Sequence, residues 1–178
     1  MKVVINGMGP TKFKGRPDEG FELWGLPWDT QYVNYDRLFE MHDIRLIEVE
    51  SSRRPEGYIE TLKECSVSLY MQEKYFPNVT AYPFNEMEID YFNSSIAYMI
   101  ALAIHEKAEF IGVYGVDMQA NDEYFYQKPN VEYLLGLAKG KGIEIKLPSE
   151  SPLLKFCGDG ILFATQYPTY VGRYGRLG

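Results

Sequence analysis

The chain is 178 residues long, 46% hydrophobic and 24% charged, enough for one packed domain that needs no disulfide or metal staple. A net charge of −7 repels polyphosphate backbones, so nucleic acid is not the expected partner. Cys65 and Cys157 are the only cysteines and form no CxxC pattern, which excludes a zinc-ribbon or disulfide framework.

Residues 2–6 are a β-branched run ending in Gly7-Met8-Gly9-Pro10-Thr11, a strand followed by a tight glycine turn. No signal-peptide pattern precedes that strand, so a cytoplasmic protein is expected. Residues 21–25 read as a second strand, closing at the aromatic pair Trp24 and Trp28. Residues 43–49 predict a third strand, and residues 54–65, entered through Pro55, a helix. Residues 67–71 and 79–82 predict two more strands, the second stopped by Pro83.

Asn93-Ser94-Ser95 supplies helix-capping side chains. Residues 96–107 are apolar on nearly every face, which predicts a helix buried on several sides. The apolar run at 96–104 is far shorter than the roughly 20 residues that span a bilayer, so no membrane association is expected. Residues 110–114 form a continuous apolar strand ending at Gly115-Val116-Asp117. Pro129 suits the first position of the next helix, where Val131, Leu134, Leu135 and Ala138 fall on one stripe. Gly140 and Gly142 stop it, and residues 143–147 give a last strand.

Strands alternating with helices predict an α/β fold, a three-layer Rossmann-like domain with a mostly parallel sheet and helices on both faces. It is expected to occupy residues 1–165, followed by a Gly/Tyr/Arg tail at 166–178 whose aromatic character suggests a homo-oligomer. Open α/β sheets bind ligands outside the carboxyl edge, where the strand order reverses. Gly7 to Thr11, Ser94-Ser95, Gly115 to Asp117 and Pro129-Asn130 are all expected to arrive there.

Several of these residues carry chemistry. Gly7 and Gly9 lack the Cβ that keeps a backbone from a phosphate, although the same pair makes an ordinary tight turn. Asn93, Ser94 and Ser95 are helix caps or an anion site, since free amides at a helix start attract either partner. Asp117 suits a ribose hydroxyl, a base or a loop cap. Tyrosine is abundant, with 15 residues, and together with Trp24 offers stacking walls for a ligand, although half-buried tyrosines on strands read the same way. His42 precedes Asp43, so an oriented His–Asp pair is one option for a catalytic base. His105, at a helix end, reads as structural. Glu86, Glu88 and Asp90 read as a cation cluster or a solvated face. No DxD or histidine-rich spacing appears, so no metal is expected. No GxSxG elbow or P-loop is present either.

Two segments bear a family likeness. Tyr91-Phe92-Asn93-Ser94-Ser95-Ile96, running on to Gly115-Val116-Asp117-Met118, resembles a helix start and Gly-Ile-Asp turn of bacterial lipooligosaccharide sialyltransferases. Ile5-Asn6-Gly7-Met8-Gly9-Pro10-Thr11 is similar to their Gly-Asn-Gly-Pro-Ser loop. Residues 131–141 and 143–154 resemble their final helix, strand and Pro-x-Ser-x-Leu-Leu stretch. The same blocks resemble a group of uncharacterised bacteriophage proteins. The resemblance implies a glycosyltransferase core that binds a cytidine-type nucleotide sugar without metal or a tightly bound cofactor. Gly7, Gly9, Pro10 and Thr11 would then face the phosphate, Asn93, Ser94 and Ser95 the nucleotide, and Gly115 and Asp117 the turn beside the sugar.

The departures are Met8, which replaces an Asn, and residues 119–130, which lack the family's histidine base. Glu123, Tyr124, Tyr126 and Gln127 are the available substitutes, and of these Glu123 titrates like a base. The leading expectation is a nucleotide-sugar-dependent glycosyltransferase with Glu123 or His42 assisting the acceptor. The alternatives are a non-catalytic protein that sequesters a nucleotide, and a hydrolase of nucleoside or glycosidic bonds using carboxylates.

Overall fold

The β-branched and aromatic runs lie side by side in a computed structural model of the chain. It describes residues 1–15, 18–29, 34–49, 54–118 and 122–154, apart from the side chains of Asp29 and residues 122–125. The central strand β1 (Lys2–Asn6) pairs with β2 (Phe21–Gly25) on one side and β6 (Phe110–Tyr114) on the other. Beyond β2 come β3 (Arg37–Glu40), β4 (Ser68–Met71) and β5 (Val79–Ala81), and beyond β6 comes β7 (Glu144–Lys146). The order is β5-β4-β3-β2-β1-β6-β7, and every pairing is parallel.

Parallel neighbours need crossovers, which the helices supply. α1 (Ile44–Val49) and α2 (Tyr58–Lys63) lie between β3 and β4, α3 (Ser95–His105) between β5 and β6, and α4 (Asp122–Gly140) between β6 and β7. Side chains alternate along β1, so Val3 and Ile5 enter the core beneath α3 and α4 while Val4 joins that of α1 and α2. The sheet is therefore covered on both faces, giving the Rossmann-like α/β fold. Ile96, Ala97 and residues 99–104 of α3 are buried, as an all-round apolar helix requires. Val131, Leu134, Leu135 and Ala138 are fully buried beside it. Among the described residues no helix is long and apolar enough to cross a membrane.

Two expectations are corrected. Residues 43–49 are not a strand: Asp43 opens α1, its carbonyl accepting from Leu46 and Ile47 N–H and its carboxylate from Arg45 N–H. The third strand is Arg37–Glu40, with Met41 and His42 between it and Asp43. Pro129 is not the first helical residue but lies inside α4, which begins at Asp122. The tail at 166–178 and Cys157 lie outside the described residues.

Candidate ligand site at the carboxyl edge

The chain builds outward from β1 to β5 and then returns to set β6 on the opposite side of β1. The loops after β1 and β6 therefore diverge from adjacent strands at the reversal point. They are tightly joined. Gly7 N–H donates to Tyr114 O at 2.8 Å and Gly9 N–H to Gly115 O at 2.7 Å. Gly115 N–H donates to Thr11 Oγ1 at 2.8 Å. A Cβ at position 7 would lie 2.4 Å from Gly115 O, and one at position 9 would lie 2.8 Å from Asp117 Oδ2. The glycines are thus explained by loop-to-loop packing. Their amides and the Thr11 hydroxyl serve that packing, and Met8 N–H takes part in neither amide bond.

Beside these loops opens a cavity of about 850 Å³. Gly7, Gly9, Gly115 and Asp117 form one wall, and Asn93, Ser94 and Ser95 at the start of α3 form another. Met41, His42 and Gln72, at the ends of β3 and β4, close the far side. The structure thus brings most of the expected residues together. Pro10 is exposed and Thr11 buried outside the cavity lining. Trp24 is fully buried, with its ring 5.3 Å from that of Phe39 and 4.7 Å from the Arg37 guanidinium. It packs the core and is not on the wall. The side chain of Glu123 lies outside the described residues.

The α3 wall is pinned by polar bonds. Ser94 Oγ accepts from Ala97 N–H at 3.2 Å and caps the helix. Buried Asn130 of α4 accepts from Asn93 N–H at 3.2 Å and donates to Tyr91 O at 2.9 Å. Asn130 therefore reaches this edge from within α4, where it sets the approach to α3. Asn93 donates to Tyr126 O at 2.6 Å, while its buried Oδ1 has no partner. Tyr98, one turn into α3, also lines the cavity and stacks on Phe92 at 4.6 Å.

His42 is half exposed on the cavity wall. Asp43 accepts from Arg45 Nε at 3.0 Å, and that bond holds its carboxyl down at about 2. His42 Nδ1 meets Oε1 of Glu40, a buried carboxylate that sequence reasoning missed. Burial pushes the Glu40 carboxyl up. The His42 contact, the Tyr58 hydroxyl and the Arg54 charge outweigh it and hold the group below its ordinary value. The available signal was an acid set within the apolar run Leu38-Phe39-Glu40-Met41, two residues before the histidine.

Among the described residues no three His, Cys, Asp or Glu side chains gather as a metal-ligand set. Of the acidic trio at 86, 88 and 90, all exposed, Glu88 pairs with Lys141 at 3.2 Å.

No protein-family model matches the chain, and no curated protein does. Solved structures do. The sialyltransferase CstII from Campylobacter jejuni, in complex with cytidine-5'-monophosphate, matches at a TM-score of 0.52 and 16% identity, over 86% of this chain and 85% of that one. CST-II with a trisaccharide acceptor and CMP matches at 0.51 and 15%, over 83% and 80%. An apo α-2,3-sialyltransferase from Campylobacter jejuni matches at 0.51 and 14%, over 96% and 95%. At this identity the likeness shows a shared sialyltransferase-like fold.

Proposed function

We propose that the chain binds a nucleotide sugar, of the cytidine type, in this cavity and transfers the sugar without a metal. The observation that carries the reading is the meeting of the β1 and β6 loops, the α3 start and His42 around one cavity at the strand-order reversal. Ligands of open α/β sheets sit at that point. The α3 amino end favours a phosphate through its free amides and dipole. Asp117 accepts from a ribose or sugar hydroxyl, and His42 or Glu123 takes the acceptor proton. The CMP in structures of similar fold supports the choice of base.

A second reading is a protein that sequesters a nucleotide without turnover. It is favoured by one observation: among the described residues no lysine or arginine lines the cavity, so the leaving phosphate has no cation there.

Isothermal titration of CMP, UMP, GMP and AMP tests both. CMP is expected to bind tightest, and a CMP-linked sugar incubated with the protein is expected to release its sugar. Binding without release selects sequestration, and no binding by any of the four overturns both.

A further inference from the structure

Glu40 ends β3 with its side chain 1% exposed, and both of its oxygens are committed. Oε2 accepts from the Tyr58 hydroxyl and from Arg54 Nη1 at 3.3 Å. The Arg54 side chain, 4% exposed, lies over the rings of Trp28 and Tyr58 at 5.2 and 5.3 Å. Oε1 accepts from His42 N–H at 3.2 Å and meets His42 Nδ1. A buried carboxylate is costly unless paired, and Arg54 supplies a compensating charge. A clamp whose only task was to hold residues 54–58 on β3 would be complete with Arg54 and Tyr58. The second oxygen, turned onto the backbone N–H and Nδ1 of His42, does something further. A neutral imidazole facing a carboxylate carries its proton on Nδ1, which sets the lone pair on Nε2.

We infer that Glu40, braced by Arg54 and Tyr58, is a positioning residue that holds His42 with Nδ1 protonated, so that Nε2 acts as the general base of the cavity. The inference rests on the transfer reading above. In that step the oxygen of an acceptor hydroxyl bonds to the anomeric carbon, and its proton passes to His42 Nε2. The anomeric C–O bond breaks, and its electron pair leaves on the nucleotide phosphate.

Nitrogen-15 NMR of the two histidines tests the arrangement directly, with His105 as the internal reference for the fold. The wild type is expected to show His42 protonated on Nδ1. In Glu40→Met/Arg54→Met both buried charges are removed together, so that neither is left unpaired, and that preference is expected to disappear. For sugar release from a CMP-linked sugar, His42→Ala is expected to lower kcat roughly a hundredfold to ten-thousandfold. The double variant should follow it, with KM nearly unchanged in both. A wild-type proton on Nε2, or a double variant turning over at the wild-type rate, overturns the inference while leaving nucleotide binding and transfer intact. Conversely, an Nδ1 proton that depends on Glu40, in a protein that releases no sugar, supports the positioning and sinks the transfer reading. The wild-type tautomer needs no variant, so the inference can be refuted even where the double variant does not fold.

Discussion

At positions 7 and 9 an added methyl group has no room. Each Cβ would press on Gly115 O, at 2.4 Å and 2.9 Å, and the one at position 9 would also meet the Asp117 carboxylate. Backbone cannot swing aside as a side-chain end can. Gly7→Ala is therefore expected to cost about 1–3 kcal/mol in urea unfolding. Gly9→Ala should also displace Asp117 and weaken CMP binding more than its stability loss alone accounts for. A Gly9→Ala protein that binds CMP like the wild type would show that Asp117 does not touch the ligand. Glu40 adds a pH dependence. Its folded value lies below the ordinary 4.5, so its stabilisation is present above about pH 4.5 and is lost as pH falls through the folded value. Urea midpoints measured from about pH 7 down to about pH 3 should drop on the acid side, and the drop should be shallower in Glu40→Gln.

Elements were legible where periodicity was long or hydrophobicity continuous. β1, β2, β6 and α3 fall where the runs predict, because each is buried along most of its length. The failures have physical causes. Residues 44–49, Ile-Arg-Leu-Ile-Glu-Val, are β-branched enough to suggest a strand. The Asp43 cap and the buried Ile47 on one face make them a helix instead. β3 was hidden because it is only four residues long and carries Arg37 and Glu40, whose charges are neutralised by distant partners such as Glu106 and Arg54. Pairings at a sequence distance leave no local mark. In the site, the Ser94 cap and Asp117 were legible from their places at element ends. Asn130 is expected at this edge as the residue after a helix-starting proline. It instead bonds across to the α3 approach from inside α4. Asn130→Ala leaves the Asn93 amide and the Tyr91 carbonyl unpaired and is expected to cost about 1–3 kcal/mol. Ser94→Ala removes one cap bond and should cost about 1 kcal/mol. Thermal or urea unfolding of both variants checks the order, and a Ser94→Ala loss equal to that at Asn130 would contradict this account of α4.

Across the whole molecule, the parallel sheet sets the carboxyl ends of its strands at one edge, and the return from β5 to β6 splits the loops beside β1. The cavity extends from that split to the ends of β3 and β4, so a ligand filling it touches segments from residue 7 to residue 127 of the chain. Such a ligand binds only when the sheet and α3 are assembled, and its binding energy becomes folding energy. At a concentration a hundred times its Kd, CMP is expected to add about 2.7 kcal/mol to stability. For a domain of this size each kcal/mol moves the Tm by roughly 2–4 °C, so the rise should be on the order of 5–10 °C by that scaling. Inorganic phosphate, which reaches only the α3 end, should give a smaller rise. Asp117→Ala should cut the CMP response toward that of phosphate, because it removes the acceptor proposed for a ribose or sugar hydroxyl. If CMP and phosphate shift the Tm equally, the cavity recognises an anion and not a nucleotide, and the β6 wall has no part in binding.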